Sequence, residues 1–120
     1  MKRIEKYERA IEERATCLEA YGISSAAFWA YRRSQDAENE LLDFSECIWE
    51  KDIEGICKDL TENGIEEFTI SSTFSGLIST IELFEANGFK MNGLTKVNAN
   101  YTDFMTNTRA RIPAIKMARA

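Results

Sequence analysis

Residues 68–91 have the sequence FTISSTFSGLISTIELFEANGFKM, which predicts a strand, a helix and a second strand. The first residues are aromatic or β-branched, as in a half-buried strand. Apolar residues then recur every three or four positions from Phe74 to Phe84, which indicates one face of a helix. Asn87 and Gly88 are typical of a helix C-terminus, because glycine adopts the left-handed conformation without strain. We therefore expect a β-α-β unit with a right-handed crossover, in which the two strands pair with each other.

The first half of the chain is predicted to be mainly helical. Apolar periodicity predicts helices over residues 2–20, 26–33 and 53–60. Ser24 or Ser25 is expected to cap the second of these helices, and Asp52 the third. Asn63 and Gly64 are expected to end the third helix.

The second half is predicted to continue from the β-α-β unit into one more strand. Asn92 and Gly93 indicate a bulge or turn, residues 98–108 a turn-rich connection, and residues 111–119 the last strand. Pro113 cannot donate a ladder hydrogen bond, so this strand is expected at an edge of the sheet or to begin near the proline.

These elements predict the α+β fold class. The expected architecture is a helical N-terminal half packed on a small mixed sheet, built on a β-α-β unit plus a C-terminal edge strand. We expect one domain over residues 1–120, mainly helical over 1–64 and β-α-β-β over 65–120.

The composition disfavours several classes of function. The 120 residues include no histidine, which removes Ser-His-Asp and Cys-His catalysis and histidine zinc sites. The three cysteines are an odd number without metal-ligand spacing, which favours reduced thiols and a cytoplasmic location. No apolar run approaches the roughly 20 residues of a membrane helix, and the charged N-terminus does not resemble a signal peptide. We expect no catalytic residue, metal or cofactor.

The charge is distributed unevenly along the chain. Residues 35–67 carry twelve acidic and two basic groups, whereas residues 105–120 carry four basic groups and no acidic ones. Two interpretations stay open: the segments complement each other, within one molecule or a dimer, or they form a polarised interaction surface. The net charge of −5 makes direct binding of nucleic acid unfavourable.

The best candidate for a ligand site is the polar turn before the helix of the β-α-β unit. Hydroxyl groups and free backbone N–H groups at a helix N-terminus suit a phosphate or carboxylate. The alternative is a set of capping residues, and the turn has neither the lysine of a Walker motif nor the spaced glycines of a dinucleotide loop. The candidate ligand-binding residues are Ser71, Ser72, Thr73, Ser75 and Gly76.

A second candidate is a protein-contact surface of carboxylates and tryptophans. The carboxylates form either a solvated face or a surface that imitates nucleic-acid phosphates. The aromatic residues of the second helix either pack between helices or remain exposed for a partner. The candidate contact residues are Asp36, Glu38, Glu40, Asp43, Trp29 and Trp49.

Two resemblances to known families add to this interpretation. Residues 81–90 (IELFEANGFK) and 114–117 (AIKM) resemble the closing half of GCN5-related acetyltransferases; the coenzyme A loop of that family is absent, so only the topology is implied. Residues 100–104 (NYTDF) and 109–117 (RARIPAIKM), with FTIS at residues 68–71, resemble a small family of unknown function encoded on bacterial phages and conjugative elements. That second resemblance implies a bacterial, cytoplasmic accessory protein.

The sequence therefore favours a non-enzymatic regulatory or inhibitory protein that binds a macromolecule. The expected partner is another protein, such as a basic host nuclease, or a second copy of the chain that pairs through an edge strand. The alternative is a module for a phosphate or nucleotide ligand, or a degenerate acetyltransferase-like domain.

Overall fold

A computed structural model describes all of residues 1–120. The helices are α1 (Glu5–Glu12), a 3₁₀ helix (Leu18–Tyr21), α2 (Ser25–Asp36), α3 (Glu50–Glu62) and α4 (Leu77–Ala86). The strands are β1 (Asp43–Phe44), β2 (Glu67–Ile70), β3 (Phe89–Asp103) and β4 (Thr108–Arg119). The predicted α+β class is confirmed, since most helices precede a mixed sheet and β2, α4 and β3 follow one another along the chain.

The four strands form one sheet in the order β1-β2-β4-β3. β1 is parallel to β2, whereas β4 is antiparallel to both β2 and β3. The expectations that β2 pairs directly with β3, and that the C-terminal strand lies at an edge, are wrong. β4 follows β3 through a short turn and pairs with it as a hairpin, and the C-terminal part of β4 then lies between β2 and β3. The two edges of the sheet are β1 and β3.

Pro113 is accommodated because β4 has two neighbours over only part of its length. β2 pairs with β4 from Glu67 opposite Ala118 to Ile70 opposite Ile115. Pro113 lies beyond this pairing, opposite Lys96 of β3. One side of β4 is therefore free of a strand partner at the proline, as the missing N–H group requires.

The first helix is shorter than predicted. The expectation of one helix over residues 2–20 is wrong, because α1 ends at Glu12 and a separate 3₁₀ helix follows. Arg14 has a left-handed φ of 53°. The backbone N–H groups of Arg14 and Ala15 bond back to α1 carbonyls at 3.1 and 3.0 Å. This is the Schellman ending that glycine usually provides, so the sequence gives no obvious stop signal here.

The predicted helix caps are correct at one of three helices. Ser24 caps α2, since its hydroxyl accepts a hydrogen bond from the N–H of Ala27 at 3.3 Å. Asp52 does not cap α3, because that helix already begins at Glu50. The hydroxyls before α4 do not cap it either, because its N-cap position is Gly76, without a side-chain hydrogen bond.

β3 is much longer than expected. The predicted bulge is present, because the pairing register jumps between Met91 and Leu94 and Gly93 has a φ of 91°. The predicted turn-rich connection over residues 98–108 is wrong, because β3 continues to Asp103 and β4 begins at Thr108. The connection between the strands is therefore only residues 104–107.

The helices and the sheet share one hydrophobic core. Phe44, Phe68, Phe84 and Phe89 form its aromatic centre, with Phe68 in edge or tilted contact with the other three rings at 5.1–5.5 Å. The core cluster extends from Ile4 in front of α1 to Met117 on β4. No helix is both long enough and apolar enough to cross a membrane.

Candidate functional site

The five residues of the predicted ligand turn do not form one site. Ser71 directs its hydroxyl towards Asp43, donating a hydrogen bond to Oδ2 at 2.6 Å. Ser72, Thr73 and Ser75 make no side-chain hydrogen bond with the protein, and Gly76 lies at the start of α4. Of the five predicted residues, the structure places only Ser71 beside a buried polar group.

Asp43 is the centre of a buried polar cluster at the carboxyl ends of the parallel strands β1 and β2. Thr69 donates a hydrogen bond to its Oδ1 at 2.6 Å, and Ser71 donates to its Oδ2. The Asp43 backbone N–H donates to Ser34 Oγ at 2.8 Å, and this hydroxyl donates to the Asp43 carbonyl at 3.3 Å. The cluster therefore fixes α2, β1 and β2 relative to one another.

The Asp43 carboxyl has a raised pKa. Burial is the largest cause, because only 4% of the residue is exposed and the charged form loses its hydration. The hydroxyl groups of Ser71 and Thr69 act in the opposite direction, as does the positive charge of Arg33. Asp43 was predicted to lie on an exposed contact surface; that expectation is wrong for this residue.

A polar cavity of about 310 Å³ adjoins this cluster. It lies outside the carboxyl ends of β1 and β2, the position where ligands commonly bind on open α/β sheets. Its lining includes Arg33, Asp43, Ser45, Glu46, Asn100 and Tyr101. The Arg33 Nε is buried and has no hydrogen-bond partner. Arg33, Glu46 and Asn100 carry no shared sequence signal, because they lie on α2, after β1 and on β3 and come together only in the folded chain.

The remaining predicted contact residues are exposed. Asp36, Glu38 and Glu40 lie at the end of α2 and in the loop that follows it, and we call them the acidic loop. Trp29 is 51% exposed although its ring packs edge-on against Phe28 at 5.3 Å, and Trp49 is 64% exposed in front of α3. Phe28 and Tyr31, by contrast, are buried in the core.

The acidic loop is joined to the edge strand β3 through two asparagines. The Asn39 side chain accepts a hydrogen bond from the Asn98 N–H at 2.7 Å and donates one to the Asn98 carbonyl at 3.1 Å. The Asn98 side chain donates to the carbonyls of Ala37 and Glu38 at 2.9 and 3.3 Å. This part of the edge of β3 is therefore covered by a side-chain amide instead of a strand.

Beyond Asn98, the hairpin continues as a two-stranded arm, defined here as residues 98–111. At its end Phe104 is 99% exposed and Met105 is 93% exposed, and we call these two residues the arm tip. Tyr101 on the same arm is also exposed. The sequence prediction missed this feature because residues 98–108 were interpreted as turns, where apolar residues carry no periodic signal.

The basic residues of the C-terminal stretch 105–120 contact the acidic stretch 35–67 within the molecule. Lys116 Nζ forms a salt bridge with Glu67 Oε2 at 2.9 Å. The Arg119 guanidinium lies over the Phe89 ring at 5.4 Å, and it also donates to the Ile65 carbonyl at 3.3 Å. Arg109 and Arg111 remain exposed on the arm. Charge pairing between the two stretches within one molecule is therefore limited to the place where the C-terminal part of β4 pairs with β2.

A second buried carboxylate, Asp59, joins three helices. It accepts hydrogen bonds from the Tyr7 hydroxyl and from the Ser24 N–H (3.0 Å), and it pairs with Lys6 Nζ at 3.2 Å. Burial, reinforced by Asp59, raises the pKa of Tyr7, so the phenol remains a proton donor. Since every oxygen of this carboxylate has partners within the protein, we assign Asp59 a structural role.

The chain has no cluster of three or more histidine, cysteine or carboxylate side chains that could hold a metal ion. Cys17 and Cys47 are exposed free thiols, and Cys57 is buried. Burial raises the pKa of the Cys57 thiol to about 11, which keeps it protonated and unreactive at neutral pH.

The fold and the cavity define an α+β domain in which a mixed four-stranded sheet carries a polar cavity and an exposed arm. Residues 26–119 match the family model of a domain of unknown function (DUF7698), and the chain belongs to this family. The match includes both the cavity and the arm. No curated protein and no solved structure matches the chain significantly.

Proposed function

We propose that the protein is a non-enzymatic regulatory or inhibitory protein that acts by binding another protein with its arm and acidic loop. We place it in the bacterial cytoplasm as an accessory protein of a mobile element, an assignment supported by the resemblance of residues 100–104 and 109–117 described above. The observation that carries the proposed binding is the exposure of two large apolar side chains at the arm tip.

The arm tip is suited to insertion into a partner. Phe104 and Met105 occupy a four-residue connection at the end of a two-stranded ribbon, where their own domain offers no surface to cover them. Burying a side chain of this size contributes about 1.5–3 kcal/mol, and both residue types are enriched at protein interfaces. Isolated exposed apolar residues are common, but two adjacent ones on a projecting turn form a binding element.

The acidic loop lies at the base of the same arm and favours a basic partner. Asn98 ties the loop to the arm, and the tip is about 20 Å further along the strand, since each strand residue spans roughly 3.3 Å. Exposed carboxylates attract a basic protein over the range of a Debye length. A partner with a basic groove next to an apolar pocket, as a nuclease would offer, is complementary to both features.

Pairing of two copies through the edge strand β3 is less favourable. The bulge at Asn92 and Gly93 interrupts the edge, and the exposed Lys90 and Lys96 flank the bulge. Bulges and lysines are the features by which edge strands avoid pairing with another chain. Asn39 also covers the edge at Asn98.

The proposal is tested by affinity capture from bacterial lysate with three tagged proteins. The double variant Phe104→Ser/Met105→Ser removes the arm tip, and Ile78→Ser removes another exposed apolar residue, on α4. We expect mass spectrometry to identify a basic protein that the wild type and Ile78→Ser retain and the double variant loses. Because the substituted residues are exposed, neither variant should change the free energy of unfolding by more than about 0.5 kcal/mol. Equal retention by all three proteins would contradict the role of the arm tip.

A further inference from the structure

Arg33 is the least satisfied charged group of the protein. Its Nε atom is buried and has no hydrogen-bond partner, and Arg33 takes part in none of the three salt bridges. An N–H donor that has lost water and gained no acceptor is unfavourable, unless another molecule supplies the acceptor. The neighbouring Arg32 lines a different cavity, between α1 and α2.

The carboxylate of Asp43 could pair with Arg33, but it already accepts hydrogen bonds from other side chains. Both of its oxygens accept short hydrogen bonds, from Thr69 and from Ser71. Its field reaches Arg33 without a contact short enough to count as a salt bridge. The two hydroxyls therefore hold Asp43 in place and leave the guanidinium group free for another acceptor.

The space beside Arg33 has the size and polarity of a small-molecule site. The cavity volume of about 310 Å³ corresponds to roughly ten liquid water molecules. Arg33 is the only cationic side chain among the lining residues, and the others are mainly hydroxyls, amides and carboxylates. Cavities of this size with a few convergent polar groups are the usual form of ligand sites.

We propose that this cavity binds a small organic oxyanion, a carboxylate or a phosphate ester, whose anionic group pairs with Arg33. Planar guanidinium groups bind carboxylates and phosphates through two parallel hydrogen bonds, which makes arginine the preferred partner of such anions. The site is separate from the arm tip, and it does not depend on the proposed binding of a protein.

Two other lining residues, Glu46 and Asn100, restrict the rest of the ligand. The carboxylate of Glu46 would repel a second anionic group. Hydroxyl or ammonium groups on the body of the ligand would instead donate hydrogen bonds to Glu46 and to the Asn100 amide oxygen. The ligand class is therefore a molecule with one anionic group that also carries hydrogen-bond donors, such as a sugar phosphate, a hydroxy acid or an amino acid.

Isothermal titration of the full chain with sn-glycerol 3-phosphate, L-lactate and L-serine tests this proposal, with glycerol as the matched probe that lacks the oxyanion. We expect at least one anionic probe to bind and glycerol not to bind. Arg33→Gln should weaken that binding by about 10- to 100-fold, the effect of losing a charge-assisted hydrogen-bond pair. Arg32→Gln, which removes the same charge one residue away, should leave it unchanged.

Thermal unfolding without added probe gives an independent readout. Since Arg33 has a buried, unpaired donor, Arg33→Gln should raise the melting temperature of the free protein or leave it unchanged. A lower melting temperature would show that Arg33 is needed for folding and would overturn the proposal. Equal affinities in the Arg33→Gln and Arg32→Gln variants, or no binding of any anionic probe, would also overturn it.

Discussion

Asn39 and Asn98 are joined by reciprocal hydrogen bonds, although they are 59 residues apart in the chain. The Asn39 amide pairs with both backbone groups of Asn98, in the way that a neighbouring strand would. Asn39→Ala should lower the free energy of unfolding by about 2 kcal/mol, because it leaves partly buried backbone groups without partners. Urea unfolding measures this. Asn92→Ala, an exposed asparagine without side-chain hydrogen bonds, is the control, and an equally small effect for both variants would contradict the role of Asn39.

How much of this fold the sequence predicts depends on the range of the interactions involved. Local signals were sufficient for the α+β class, the cap at Ser24 and the bulge at Gly93. The position of β4 between β2 and β3 was not predictable from local signals, because it depends on pairings such as Glu67 with Ala118. β1 was missed because a two-residue strand has no periodicity.

The candidate site was predicted only in part, for the same reason. Ser71 was singled out for its turn and Asp43 for its charge, but their contact joins residues 28 positions apart. The burial of Asp43 follows from that contact, and a carboxylate in an acidic segment is ordinarily expected to be exposed. Arg33 gave no signal at all, because its environment is formed by α2 and the arm together.

Glu38 lies two residues after the end of α2, and its backbone conformation is unfavourable for a residue that carries a side chain. Its φ is 57°, and its N–H bonds back to the Gln35 carbonyl at 3.1 Å. Glycine adopts this conformation without a steric cost. Glu38→Gly should therefore raise the free energy of unfolding by up to about 1 kcal/mol. Glu38→Ala removes the same carboxylate but keeps the unfavourable φ, and a similar gain in that variant would contradict the explanation.

The Tyr7 hydroxyl holds the carboxylate of Asp59 inside the helical half. Tyr7→Phe removes a buried hydrogen bond to a charged acceptor, so the free energy of unfolding should fall by about 2 kcal/mol. Tyr21→Phe is the matched control, because its hydroxyl donates to Glu13 at 3.4 Å on the surface; we expect a change within about 0.5 kcal/mol. Equal effects of the two substitutions in urea unfolding would show that the buried contact adds no stability.

The raised pKa of Asp43 makes stability depend on pH. Since burial raises the pKa in the folded state above the ordinary aspartate value of about 3.9, the contribution of Asp43 is fully present below the unfolded value. It is lost as pH rises through the higher folded value. Asp43→Asn has no such titration, so its free energy of unfolding relative to the wild type should increase between about pH 3 and pH 7.

Comparing the two proteins by urea unfolding at each pH isolates this effect. Arg33 and Glu46 line the same cavity in both proteins. Their contributions to the free energy of unfolding therefore largely cancel when the Asp43→Asn variant is compared with the wild type. A difference that stays constant with pH, or that moves in favour of the wild type as pH rises, would contradict a raised pKa at Asp43.

The acidic loop should control how fast and how strongly a basic partner binds. Asp36→Lys/Glu40→Lys reverses two exposed carboxylates of the loop while leaving the backbone at Glu38 unchanged. Glu82→Lys/Glu85→Lys makes the same change in net charge on the exposed face of α4. We expect only the first variant to lose the captured partner, and high salt to weaken wild-type binding, because exposed charge contacts are screened by ions. If both variants lose the partner equally, net charge is responsible; if neither does, the acidic loop is not part of the interface.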